Sequence, residues 1–296
     1  MVTIHIIRQG KKQYFYIEHT IRENKEIKTK RQYLGNKLPS NIEELKERFM
    51  NSLFEEIYSD TLSAIKNNFN KEAAQYPASA KDQYIESFMI RFTYNTNRIE
   101  GSTLTLKETA DLLDEQITPH NKPLKDIKEA EAHKKVFYEM LNHDKELNLQ
   151  TVLDWHRLLF AGSNTEIAGN IRKHPVAIAR SKVELPPPLE LETLLHEFFT
   201  WYRKNKDRLN PVIFAALVHL KFVTIHPFSD GNGRISRLMM NFVLKRNRYP
   251  MLNVEYTNRN AYYNALERSQ TTHKDNIFVN YIIKRYLKAY GKYAKK

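Results

Sequence analysis

The 296-residue sequence has no cysteine. That excludes disulfides, thiolate metal sites and a cysteine nucleophile, and it fits a reducing compartment. No uncharged apolar run approaches the ~18 residues that a membrane span needs, so no span and no membrane partner are expected. The first residues, MVTIHIIRQGKKQ, lack the apolar core of a signal peptide, and a cytoplasmic chain is expected. There is no internal repeat and no low-complexity segment. Acidic residues are in short supply: 34 Asp and Glu stand against 47 Lys and Arg, giving a net charge of +13. Such a balance points to phosphate-bearing partners, nucleotides or nucleic acid. Charge alone names no partner, and nucleic acid is the minority expectation. What is present is 41% hydrophobic residues, with 17 Tyr and 15 Phe. That composition supports a packed core, in one large domain or two unequal ones.

Residues 1–38 read differently from the rest. Short β-prone runs, broken by Gly10 and by the polar stretch Arg22 to Lys25, predict a three-stranded antiparallel meander. LPSN at 38–41 reads as the join to a second, helical domain over 39–296. Helical periodicity then dominates, and ten helices are predicted, from about 41–68 to 275–290. Thr105 and Glu108 form a capping box, and Asn210 before Pro211 is a helix start. One stretch interrupts the pattern. Residues 170–188, NIRKHPVAIARSKVELPPP, are β-branched and proline-rich and predict a hairpin or flap with a stiff exit.

The densest chemistry lies in HPFSDGNGR, residues 226–234. The preceding run PVIFAALVHLKFVTI predicts a buried helix that Pro227 stops, leaving His226 at its end. Ile235, Leu238, Met239, Phe242 and Val243 predict a second buried helix beginning near Gly233. Gly231, Asn232 and Gly233 therefore fall at a helix N-terminus, where free N–H groups and the dipole favour an anion. Arg234 and Arg237, three apart, can face the same anion. Asp230 beside that nest would repel a phosphate unless a divalent cation such as Mg²⁺ lies between them. His226 adds a general base that titrates near neutral pH. Each signal alone is ordinary, since loops between helices are rich in Gly, Asp and Asn. The full string with Arg237 downstream is specific, and it reads as transfer chemistry at phosphorus.

HPFSDGNGRISR resembles the signature of the Fic family, HPFx[D/E]GNGRxxR, at every specified position, and the likeness extends over roughly residues 85–290. The resemblance implies a mainly α fold: a Fic-type helical bundle with a β-hairpin flap, here beside a small N-terminal antiparallel meander. Members usually transfer AMP from Mg-ATP to a hydroxyl of a target protein. On this resemblance His226 would deprotonate the target hydroxyl and Asp230 would hold Mg²⁺. The Gly231–Gly233 nest would bind phosphates, Arg234 the phosphate chain and Arg237 the γ-phosphate, with Phe228 a buried anchor of the loop. Nucleotidyl transfer to a Tyr, Ser or Thr hydroxyl, with self-modification and homodimers as family traits, is the function implied.

TNRIEG, residues 96–101, taken alone is a helix end closed by Gly101. In the family context it resembles the inhibitory pattern [S/T]xxxE[G/N], with Thr96, Glu100 and Gly101 in position, on a helix near 81–100 that precedes a core near 105–290. Glu100 would then occupy the Arg237 fork that the γ-phosphate needs. The 170–188 segment resembles the flap, with Ala177, Ile178 and Ala179 as a pairing edge for the target; the alternative is an ordinary surface hairpin. NAYYNALERSQ resembles the adenine-side helix. Tyr262 and Tyr263 would line the base pocket, and Gln270 stands where relatives often carry Asn. Otherwise the two tyrosines read as packing. His219 and His156 read as hydrogen-bonded core histidines. Two other readings stay open: removal of AMP or transfer of another phosphate-containing group, and a non-enzymatic basic module that binds nucleic acid or protein through residues 1–38.

Overall fold

The structure, a computed structural model, describes residues 2–23, 26–178 and 181–295, with only the backbone described for 21–23 and 26–28. The chain divides into two compact units, Met1–Ser59 and Asp60–Lys296.

In the first unit β1 (Thr3–Gln9), β2 (Lys12–Glu23) and β3 (Glu26–Gly35) form one antiparallel meander in the order β1-β2-β3. Gly10 takes a φ of 60° in the turn between β1 and β2, a conformation that costs glycine little. The register pairs Ile4 with Ile17 and Tyr16 with both His5 and Tyr33, with an irregularity at Phe15/Tyr16. Ile17 is fully buried, and Phe49, Met50, Leu53 and Phe54 from the first turns of α1 (Ile42–Ala74) are buried with it. The meander expected over 1–38 is thus present. The division between units falls inside α1, a 33-residue helix that outruns its predicted end near residue 68.

The second unit is helical: α2 (Ala78–Ile99), α3 (Leu106–Leu113), α4 (Leu124–Asn142), α5 (Leu149–Phe160), α6 (Leu191–Asn205), α7 (Pro211–Ile225), α8 (Asn232–Arg246), α9 (Arg259–Thr272) and α10 (Asp275–Tyr290) follow α1. α7 and α8 form its centre. Twelve residues of α7 are buried, Val212 to Leu220 without interruption. A helix apolar all round belongs in an interior, and α8, α10 and α6 enclose it. α8 buries Ile235, Leu238, Met239, Met240, Phe242, Val243 and Leu244, and α2, α4 and α5 pack against it. The starts follow the local chemistry. Thr105 and Glu108 close the capping box on α3, and Asn210 accepts from the Val212 N–H at the start of α7.

Among the described residues 170–187 there is no strand. No ladder is present among those described residues, although the Ser181 N–H donates to the Ile178 carbonyl at 3.1 Å. Pro175, Pro186 and Pro187 remove the donors a ladder needs. Arg172 then fastens the segment to the loop at residues 226–227 instead of to a strand.

Candidate functional site

Pro227 ends α7 as the sequence predicts, but His226 does not become extended. It takes the left-handed conformation, φ 53° and ψ 55°, a sparsely populated region for a residue with a β-carbon. Three contacts hold it there. Its N–H donates to the Phe222 carbonyl at 3.2 Å. Its carbonyl accepts from Arg172 Nε at 2.9 Å. Its ring Nδ1 lies 3.2 Å from the Val223 carbonyl. A carbonyl can only accept, so Nδ1 carries the proton and Nε2 keeps a free lone pair. Burial, the larger cause, and Arg172 nearby lower the pKa of His226 below its ordinary 6.5; contact with Val223 and the charges of Glu100 and Asp230 oppose the shift. The imidazole is thus neutral and ready to accept a proton at neutral pH.

The loop that follows is built as a rigid turn. Asn232 Oδ1 accepts from the Phe228 N–H at 2.9 Å, and its Nδ2 donates to the Phe228 carbonyl at 2.8 Å. Phe228, fully buried, stacks on His156 with ring centroids 3.7 Å apart, as the anchor role implied. His156 Nδ1 accepts from the Gly169 N–H at 2.9 Å, so its Nε2 donates to the Asp230 carbonyl at 3.0 Å. Burial holds this histidine neutral, with its pKa pushed down to about 4. His156 is the hydrogen-bonded core histidine expected, and it also fastens the loop. Arg172 does the same from the other side, a role that no sequence pattern announces. It is 3% exposed and donates to the His226, His174 and Pro186 carbonyls, while its own N–H donates to Pro227.

α8 begins at Asn232 with Gly231 at its N-cap, φ 83°, and no side chain caps it. Its leading N–H groups have no intrahelical acceptor. A β-carbon on Gly231 would lie 2.6 Å from the Phe160 ring, and one on Gly233 would overlap Glu100 Oε1. Bare backbone is required at Gly231, and at Gly233 an added methyl group would have to displace the Glu100 carboxylate. The Gly231 N–H is already used: it donates to Asp230 Oδ1 at 2.6 Å. The open donors are therefore those after Gly231.

The two arginines diverge. Arg234 is 1% exposed and turns toward α4, where Nη1 donates to Glu129 Oε2 at 2.6 Å. Its Nη2 lies 3.3 Å from Asp230 Oδ1, and its guanidinium stacks over Phe160 at 4.7 Å. In this arrangement buried Glu129 takes the charge of Arg234, and Arg234 also steadies Asp230. Arg237, also 1% exposed, faces α2 and α9. Nη2 donates to Glu100 Oε1 at 2.5 Å, Nη1 to the Tyr262 hydroxyl at 3.0 Å and Nε to Thr96 Oγ1 at 3.3 Å. Glu100 is the C-cap of α2, and Gly101 leaves the helix at φ 102°. Thr96, Glu100 and Gly233 thus meet at Arg237.

Tyr262 is 1% exposed and also touches His219, 3.0 Å from hydroxyl to Nε2. Its ring is enclosed by that packing, and its hydroxyl supports Arg237. Tyr263 is 44% exposed and donates to the Ile99 carbonyl at 2.9 Å, fastening α9 to the end of α2. Gln270 donates to Thr224 at 3.1 Å. His219 is fully buried against Phe278, as expected of a core histidine. Of the flap edge, Ala177 and Ile178 lie in the segment without strands, and Ala179 lies outside the described residues. No group of three potential metal ligands occurs among the described residues, and none of their helices is long and apolar enough to cross a membrane.

Fold and site together define a helical domain in which a neutral histidine overhangs a glycine-opened helix start. Residues 146–244 match the model of the Fic/DOC family, and the chain contains a domain of that family. A protein adenylyltransferase Fic from Nematostella vectensis is 32% identical over 197 residues, 64% of this chain and 45% of that one. Its counterpart from Drosophila ananassae is 31% identical over 231 residues, 76% of this chain and 44% of the relative. The chain thus spans less than half the length of these curated relatives. A Fic domain containing signaling protein from Bacteroides thetaiotaomicron superposes with a TM-score of 0.69 at 27% identity, covering 78% of this chain and 97% of that one. Fic-1 from C. elegans also gives 0.69, at 23% identity over 86% of this chain and 77% of that one, a likeness of fold.

Proposed function

We propose that the chain is an auto-inhibited protein adenylyltransferase, moving AMP from ATP to a Tyr, Ser or Thr hydroxyl of a protein. The observation that carries the reading is the convergence at the start of α8. His226 offers a free Nε2, the helix start offers open N–H groups, and the Arg237 fork is held by Glu100. The relatives' name, protein adenylyltransferase, agrees with that chemistry.

In the reaction, the target hydroxyl gives its proton to His226 Nε2 as its oxygen bonds to the α-phosphorus. The bond from that phosphorus to the bridging oxygen breaks, and pyrophosphate leaves. His226 can take the proton because burial keeps it neutral, and the Val223 carbonyl fixes which nitrogen is free. The N–H groups after Gly231 bind phosphate oxygens, and the clamps from His156 and Arg172 keep the loop from yielding. Most of the acceleration is positioning and charge neutralisation.

The donor set suits Mg²⁺ bound through a nucleotide. Asp230 has a side chain 44% exposed, with one oxygen engaged by Gly231 and Arg234. One carboxylate plus phosphate oxygens is how Mg²⁺ is commonly held, without an all-protein cage. When bound there the ion would neutralise the phosphate chain. Glu100 is the brake. Its carboxylate occupies Arg237 Nη2 and lies over Gly233, where a terminal phosphate would otherwise approach.

The test is mass spectrometry of lysate proteins after incubation with the Glu100→Gly chain and ATP, UTP, GTP or CDP-choline. Addition of AMP, with ATP only, is expected. Another added mass, or removal of AMP from premodified protein without addition, would overturn the reading.

A further inference from the structure

The small sheet has two unlike faces. Ile17, fully buried, and Lys30, bonded to Glu56 of α1, mark one. Side-chain contacts mark the other. Tyr14 and Tyr16 both touch Tyr33, with ring centroids 6.3 and 5.2 Å apart, Arg31 pairs with Glu18, and Thr20 bonds Thr29 at 3.2 Å. Strand alternation adds His5, the partner of Tyr16, and Lys12 to this second face. It is open to solvent: Tyr33 is 52% exposed, and Tyr14 and Tyr16 are half-buried. Three touching tyrosines on the outside of a unit with so small a core call for a partner.

Charge narrows the choice. Residues 1–38 hold nine lysines and arginines against three glutamates, a net +6 of the chain's +13. Glu18 is the one carboxylate on the tyrosine face among the described side chains, and Arg31 matches it. Lys11 and Lys12 stand at the β1–β2 turn beside Tyr14.

We propose that this face binds single-stranded nucleic acid. Aromatic rings stack on unpaired bases whatever their sequence, and neighbouring cations take the phosphates. Sheets that present two or three bases to aromatic side chains work in this way. A duplex hides its bases in its own stack and would leave the tyrosines unused. An acidic peptide would meet the cations but gain nothing from an aromatic row.

The full chain is titrated into fluorescently labelled single-stranded RNA and DNA of about 12 nucleotides, a duplex of the same length and a poly-glutamate peptide, with anisotropy read across a salt series. Single strands should bind at least about tenfold more tightly than duplex or peptide. Removing the stack on one base is worth about 5- to 150-fold, so Tyr33→Ala should weaken binding in that range and Tyr33→Phe should restore most of it. Lys11→Glu with Lys12→Glu should flatten the slope of log affinity against log salt by about 0.7 for each phosphate no longer neutralised. Duplex or peptide binding as tight as the single strands overturns the proposal. So does unchanged affinity in a Tyr33→Ala chain with an unaltered melting curve, or in the double lysine variant. None of these readouts depends on nucleotide transfer.

Discussion

Replacing Glu100 with glycine should destabilise the free protein and strengthen its hold on nucleotide. Breaking a buried ion pair costs about 3–5 kcal/mol, mostly from the charge left behind. Two features lower that figure here. The Glu100 side chain is 27% exposed, and Arg237 keeps its bonds to Thr96 and to the Tyr262 hydroxyl. A loss of about 1–3 kcal/mol remains, once the partial exposure is discounted. At about 2–4 °C per kcal/mol for a unit of this size, the melting temperature should fall by about 2–12 °C. Glycine adds no large helix penalty, because Glu100 is the C-cap and not an interior residue of α2. The freed guanidinium should then accept a terminal phosphate. At ATP a hundredfold above its dissociation constant, linkage returns about 2.7 kcal/mol. Calorimetric melts of wild type, Glu100→Gly and Glu100→Gln with and without ATP and Mg²⁺ read both effects. The glycine variant should melt lowest alone and gain most from ATP. An unchanged melting temperature together with equal ATP stabilisation in all three would refute the coupling of Glu100 to nucleotide through Arg237.

Other outcomes follow from the same geometry. Gly231→Ala sets a methyl group 2.6 Å from Phe160 at a φ of 83°, and urea unfolding should show a loss of about 1–3 kcal/mol or more. The pKa of His226 is lowered, so the acid limb of kcat/KM for the Glu100→Gly chain should lie below pH 6.5, activity falling as the base becomes protonated. His133 and His156 are kept neutral by burial, with pKa values of about 3 and about 4, and His219 is likewise depressed. The unfolded chain therefore binds more protons below pH 6.5, and stability should drop as pH falls from 6.5 toward 4. Three such groups give a slope of up to about 4 kcal/mol per pH unit, checked by denaturant titration. Arg172→Met should reduce kcat about tenfold or more with little change in ATP affinity, since Arg172 holds the His226 carbonyl and touches no anion site.

Much of this molecule was readable before its structure because local chemistry and global packing agree. A run of apolar residues from Val212 to Leu220, broken only by His219, marks a central helix, and Asn210–Pro211 marks its start. The Thr105–Glu108 box marks another. The Gly231 turn and His226 at a helix end were legible for the same reason. What escaped are roles set by partners distant in sequence. Arg234 and Arg237 share a helix side in a linear reading, yet Glu129 draws one toward α4 while Glu100 and Tyr262 draw the other toward α2 and α9. Glu129 lies in a run of charged residues, where nothing local distinguishes a buried carboxylate from a solvated one. Arg172 looked like one more basic residue in a proline-rich stretch, and its three carbonyl partners come from three points of the chain. The 170–188 segment has β-prone composition, but its described residues have no partner strand with which to form a ladder.

The most direct test compares incorporation of α-labelled AMP into protein by the Glu100→Gly chain and by the same chain with His226→Ala added. Clear incorporation is expected from the first and a drop of about 10²-fold or more in the second, with ATP binding retained in both. Equal incorporation by the two, or none by either while both bind ATP, would contradict the assignment of His226 as the base.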